Sequence, residues 1–209
     1  YGKGMLDFAA EIEARLQSLD YLNDPQALAR EEELKAMAIC ARALVSYAGR
    51  YAALARQLAQ DEADPARRCE LEQIAAVCEW VPAHAPRTLW EALQYYWFVH
   101  LGVTKELNTW DSFSPGRLDQ HLLPFYERGL AEGSLTREKA EELLQCFWIK
   151  FNNQPAPPKV GVTAAESGTY TDFAQINLGG VKEDGSDGVN EVSYLLLDVI
   201  EEMRLLQPS

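Results

Sequence analysis

The stretch Asn108-Thr109-Trp110-Asp111-Ser112-Phe113-Ser114-Pro115-Gly116-Arg117-Leu118-Asp119-Gln120-His121-Leu122-Leu123-Pro124-Phe125-Tyr126 decides how this chain is read. It gathers carboxylate, hydroxyl, indole and guanidinium groups in one turn-rich segment between two strong amphipathic helix patterns. Polar groups that solve no packing problem are tolerated on loops held by rigid elements, and such loops carry function. A second segment of the same character runs from Thr163 to Gly180, Thr-Ala-Ala-Glu-Ser-Gly-Thr-Tyr-Thr-Asp-Phe-Ala-Gln-Ile-Asn-Leu-Gly-Gly.

Working outward, helical periodicity dominates. Upstream of the polar stretch, Thr88 is expected to cap a helix from Leu89 to about Val103, with Glu91 as its reciprocal partner. That helix carries Tyr95, Tyr96, Trp97 and Phe98 and is apolar on most sides, which predicts deep burial. Pro82 and Pro86 bound a short connector before it. Further back, Asp64-Pro65 predicts a helix start running through Leu71, Ile74, Ala75 and Cys78 to Trp80. Gln26 to about Gln60 reads as one long alanine-rich helix, with Leu34, Met37, Ala38, Ala41, Leu44, Val45, Ala48, Ala52 and Ala55 in period. Met5 to Leu22 reads as another, ended by Asn23-Asp24-Pro25. Downstream, Leu118 to Gly129 predicts a short helix interrupted near Pro124, and Thr136 caps a helix from Arg137 to Lys150. Pro155-Ala156-Pro157-Pro158 is expected to be extended. Phe173 to Leu178 suits a short strand, Glu183 to Gly188 a solvated turn, and Glu191 to Leu206 a last helix opened by Asn190.

The bulk numbers set limits. A chain of 209 residues with 47% hydrophobic residues is globular and long enough for a sizeable core. A formal charge of -13 repels phosphate backbones and anionic lipid, so neither nucleic acid nor membrane is an expected partner. Cys40, Cys69, Cys78 and Cys146 match no zinc spacing and are expected to be reduced core thiols of a cytoplasmic protein. The chain opens on Tyr1 rather than Met and reads as a piece of a longer polypeptide.

Common catalytic signatures are absent: no phosphate loop, no Gly-x-Ser-x-Gly, no dinucleotide fingerprint. No metal site is expected, since His84, His100 and His121 are widely spaced and read as core or surface residues. Asp111 and Ser112 admit two readings. One is turn chemistry, with both side chains bonding their own backbone before Pro115-Gly116. The other is a small polar-substrate pocket, because Trp110 and Phe113 bracket them and a solvated turn has little use for two large aromatics. Arg117 and Asp119 are candidates for a structural ion pair. Tyr170, beside Gly168, either packs its ring or presents it to a cavity.

The run Ser114 to Tyr126 resembles a segment of the glycyl radical enzymes, the pyruvate formate-lyase-like superfamily of diol dehydratases, choline lyase and sulfonate lyases. Leu89-Trp90-Glu91-Ala92-Leu93-Gln94, Phe147-Trp148-Ile149-Lys150, Asn177-Leu178-Gly179-Gly180 and Leu205-Leu206-Gln207-Pro208-Ser209 match in order. The resemblance implies an α/β fold in which this chain is a mostly helical segment of a ten-stranded α/β barrel. Residues 1–209 would lie inside one such domain, with 1–81 as outer helices and 82–209 as helices, pocket loops and a barrel strand. It implies a lyase or dehydratase that breaks a C–O, C–S or C–C bond of a small polar substrate by radical chemistry. A polyol or hydroxy-sulfonate is favoured, pyruvate formate-lyase itself comes second, and choline cleavage is less favoured. A separate radical SAM activase would install the glycyl radical, and the full-length enzyme would be a homodimer.

The family's Gly-Cys-Val/Ile-Glu and Arg-Val-x-Gly motifs do not occur between Tyr1 and Ser209, so no catalytic residue is expected in this segment and no cofactor is bound by it directly. What the resemblance carries over is substrate contact at Asp111, Ser112 and Tyr170, within the aromatic frame of Trp110 and Phe113. A non-catalytic helical scaffold is the alternative from another class.

Overall fold

The computed structural model describes residues 1–104, 114–153 and 174–205. The chain divides into two compact units, Tyr1–Pro86 and Arg87–Ser209.

The first unit is built from three helices, α1 (Met5–Gln17), α2 (Ala27–Asp61) and α3 (Pro65–Trp80). At the head of α1, Asp7 accepts a hydrogen bond from the Gly4 amide (2.8 Å), while Met5 and Leu6 donate theirs to the carbonyls of Pro82 and Ala83. Gly4 has no substitute, because a Cβ there would sit 2.2 Å from the Ala83 carbonyl oxygen. The helix ends five residues earlier than its periodicity predicts. Asp20 takes the amides of Leu22 and Asn23 and the Asn23 side chain, forming a turn that competes with further helix. Hydrogen bonds from Asn23 first, and then Leu22, hold the Asp20 carboxyl below its ordinary range.

The long helix α2 spans the expected range, and it packs on α1 and α3 through Ala38, Ala41, Ala48, Ala52, Ala55 and Ala59. Asp64 caps α3 by accepting from Ala66, with Pro65 in the first turn where its missing N–H costs nothing. Arg56 and Glu79 pair across α2 and α3 with two hydrogen bonds. Of the four cysteines only Cys78 is buried; Cys40, Cys69 and Cys146 are exposed, which corrects the expectation of core thiols. A thiol in a helical pattern is too small to reveal by itself which face it occupies.

The second unit holds α4 (Leu89–Gly102), α5 (Leu118–Glu132), α6 (Arg137–Asn153) and α7 (Glu191–Met203), with two short strands, β1 (Gly116–Arg117) and β2 (Ile176–Asn177). Its core is large and aromatic, with Trp97, Leu118, Leu122, Leu144, Phe147, Trp148, Phe151, Leu195 and Val199 all buried. His100 is fully buried, its ring centroid 5.0 Å from that of Trp97 and 4.8 Å from that of Phe151.

Thr88 caps α4 as expected, accepting from the Glu91 amide. The reciprocal partner differs: Glu91 accepts from the Arg87 amide (2.7 Å) and pairs with the Arg87 guanidinium, so the box closes one residue further out. Pro124 does not interrupt α5, which runs unbroken past the predicted end at Gly129 to Glu132. Burial of Leu118, Leu122, Phe125 and Tyr126 outweighs the proline's cost of about 3 kcal/mol. Gly133, at φ 70°, then closes the helix. Arg204 takes the left-handed conformation after Met203 and ends α7 there, while Leu206, the predicted end, lies outside the described residues.

Candidate functional site

Two structural segments meet where the polar stretches rejoin the described chain. The strands β1 and β2 pair in parallel, with Gly116 opposite Ile176 and Arg117 opposite Asn177. The sequence pattern predicts the second of these strands but not the first. Parallel pairing sets the leading ends of both strands side by side. The Gln175 amide accordingly donates to the Ser114 hydroxyl at 3.2 Å.

Below this ladder lies a buried polar knot. Asp119 sits in the first turn of α5 and is fully buried. Its Oδ2 accepts from the Gly179 amide (2.7 Å) and from the Ser193 hydroxyl of α7. Its Oδ1 accepts from the Gln120 amide. Gln120 Nε2 in turn donates to the Gly179 carbonyl at 2.8 Å. Ser193 closes the circuit by accepting from the Asn190 amide at the cap of α7. A buried carboxylate is tolerated when its oxygens are engaged in this way.

Arg117 does not pair with Asp119. Its guanidinium donates instead to the Val181 carbonyl at 2.6 Å, from the exposed side of the ladder. Asp119 thus holds the Asn177-Leu178-Gly179-Gly180 motif from within, at Gly179, while Arg117 holds Val181, the residue that follows it, from outside. Glycine is needed here. Gly179 and Gly180 stand at φ 62° and 81°. A Cβ on Gly188 would lie 2.5 Å from Gln120 Nε2 and 2.9 Å from the carbonyls of Gly179 and Gly180.

Chemically, this arrangement fixes geometry; its donors and acceptors are satisfied by one another. The predicted substrate contacts Trp110, Asp111, Ser112, Phe113 and Tyr170 all lie outside the described residues. The residues that the sequence reading undervalued are Asp119, Gln120 and Ser193. Their partners lie 59 to 74 positions away, beyond any local pattern. The only usable signal was co-occurrence of the two motifs. Among the described residues, no group of three or more His, Cys, Asp or Glu side chains is placed to hold a metal. A cavity of about 890 Å³ between α1 and α2 has a mixed lining: Leu19, Leu34 and Met37 stand beside charged groups, of which Arg30 and Asp24 pair at 2.6 Å.

The family model for pyruvate formate lyase-like proteins matches residues 1–209. The chain belongs to the pyruvate formate lyase-like family. This match and the relatives place it among the glycyl radical enzymes, as the resemblance implied. Within this family it is 60% identical over 209 residues to trans-4-hydroxy-L-proline dehydratase of Clostridioides difficile, covering 100% of this chain and 26% of the relative. It is 34% identical to isethionate sulfite-lyase of Nitratidesulfovibrio vulgaris, covering 99% of this chain and 25% of that protein. The crystal structure of hydroxyproline dehydratase from Clostridioides difficile with trans-4-hydroxy-L-proline bound superposes with a TM-score of 0.95 at 60% identity, again over 100% of this chain and 26% of the other. The chain thus spans about a quarter of the length of its pyruvate formate lyase-like relatives. Among the described residues the chain is mostly helical with one two-stranded sheet, which agrees with this placement.

Proposed function

We propose that this chain is the pocket-framing segment of a glycyl radical dehydratase that removes water from a hydroxylated amino acid of the 4-hydroxyproline type. The observation that carries the reading is the 60% identity to trans-4-hydroxy-L-proline dehydratase along the whole chain, nearly twice that to isethionate sulfite-lyase. The backbone likeness to hydroxyproline dehydratase, a TM-score of 0.95 over 100% of this chain, supports a frame of the same kind around the two polar segments.

Within this reading, Asp111 accepts hydrogen bonds from a substrate hydroxyl or ammonium group, and Ser112 donates or accepts beside it. Tyr170, Trp110 and Phe113 wall the pocket and exclude water, which suits radical intermediates. A glycyl radical, carried with its partner cysteine by other parts of the polypeptide, supplies the hydrogen abstraction. A radical SAM activase installs it; residues 1–209 lie inside a single family domain, and the full-length protein is a cytoplasmic homodimer. The preference for a polyol or hydroxy-sulfonate thereby gives way to a hydroxyproline-type substrate, with sulfite elimination from a hydroxy-sulfonate as the second reading.

The test uses the full-length protein, activated anaerobically. An electron paramagnetic resonance doublet, and conversion of trans-4-hydroxy-L-proline to a product lighter by one water, are expected. Turnover of isethionate, glycerol or propane-1,2-diol with hydroxyproline untouched would overturn the substrate assignment. Absence of any radical signal would overturn the chemistry.

A further inference from the structure

Helix α2 carries two apolar stripes, not one. Ala38, Ala41, Val45, Ala48, Ala52, Ala55 and Ala59 recur at alternating steps of three and four; the six alanines are buried and Val45 half-buried, on the face packed on α1 and α3. One residue earlier at every step stand Met37, Cys40, Leu44, Tyr47, Tyr51, Leu54 and Leu58. A one-residue offset rotates this second stripe by about 100° around the helix, away from the alanine seam. Met37, Tyr51, Leu54 and Leu58 are 55%, 48%, 49% and 49% exposed, and Cys40 is exposed with them.

This inverts the usual economy of burial. The alanines of α2 are inside, while Met37, Tyr51, Leu54 and Leu58 face outward, where a solvent-facing helix carries charge, and Leu44 and Tyr47 between them are half-buried. None of the seven outer residues is charged. Tyr47 and Tyr51 meet edge to face with centroids 5.0 Å apart and hydroxyls 3.2 Å apart. Partial burial, then the Tyr51 hydroxyl, push the Tyr47 phenol up to about 12, so it stays neutral. Steps of three and four sustained from Met37 to Leu58 are the heptad spacing by which one α-helix receives another. Over roughly 30 Å of helix, this shape fits a straight helical partner better than a small ligand or an extended peptide.

We propose that the Met37–Leu58 stripe of α2 docks an apolar-faced α-helix supplied by another part of the same polypeptide, crossing at the shallow angle of heptad packing. The occupant follows from two observations: the spacing specifies a helix, and the family relatives are about four times as long as this chain. The inference rests on the reading above that the chain works as part of a longer enzyme.

Cys40 is a built-in probe. In native full-length protein, labelling of Cys40 by a bulky maleimide, followed at the peptide level by mass spectrometry, should be about tenfold or more slower than in urea-unfolded protein. Leu54→Lys should restore reactivity, while Gln57→Lys, on a different face, should not. Rapid labelling of Cys40 in the native wild-type protein overturns the proposal even if the variant fails to fold. Protection that vanishes on dilution, together with a fall in mass by light scattering, also overturns it by assigning the stripe to a second copy. The radical signal of the same sample separates the two readings. A signal with reactive Cys40 sinks only the docking, and protected Cys40 without a signal sinks only the chemistry.

Discussion

The two units solve the same packing problem in opposite ways. In α4–α7, large side chains are inside: Trp148, Phe151, Leu144 and Leu195 are almost fully buried, and even a carboxylate is enclosed with its hydrogen bonds made. In α1–α3, alanines fill the interior of the longest helix while Met37, Ile39, Leu54 and Leu58 stay exposed. Buried apolar area sets hydrophobic stabilisation at roughly 25 cal/mol per Å². The second unit therefore has the makings of a self-sufficient core. The first has close helix approach but little buried bulk, and its stability leans on whatever covers its outer stripe.

Substitutions sharpen or break that contrast. The largest expected effect is at Trp148→Ala, about 3–5 kcal/mol of lost stability by denaturant unfolding, because an aromatic is removed from a closed core. A loss below about 1 kcal/mol would show that the second unit is loosely packed. Next comes Asp119→Ala, which leaves the Gly179 amide and the Ser193 hydroxyl without their acceptor and should cost about 2–4 kcal/mol. Asp119→Asn keeps an acceptor and should recover part of that loss; equal damage from both would argue against the hydrogen-bonded knot. In the first unit, Ala48→Leu forces bulk into the seam and should cost about 1–3 kcal/mol, seen as a lowered melting temperature. If Leu is accepted without loss, the alanine seam is not tight and the contrast fails. Smallest is Arg56→Ala. Its pair with Glu79 is about half exposed on both sides, so a change under about 1 kcal/mol is expected.

Much of the fold was legible because helices announce themselves locally. The boundaries of α2, α3 and α4 follow from period, Asp64-Pro65 and Thr88. The errors came where a competing interaction was invisible in a window. Asp20 diverted the end of α1 into a turn, and core packing carried α5 through Pro124. The periodic set read on α2 listed Met37 and Leu44 with Ala38 and Ala41; in the structure the two alanines are buried, Leu44 is half-buried and Met37 is exposed. At the candidate site the sequence singled out the two polar segments, but not that their ends pair as β1 and β2. It gave Asp119 to Arg117, its near neighbour, when the true partners were Gly179 and Ser193. Long-range hydrogen bonds leave no periodic trace, so such a role is readable only after folding.

The ladder between β1 and β2 has just two residue pairs, too few to set its own alignment against a slip by one. Asp119 and Gln120 supply the missing information by seizing the two backbone atoms of one peptide position, the Gly179 amide and carbonyl. They act as a dowel: with that glycine pinned, Ile176 and Asn177 can meet only Gly116 and Arg117.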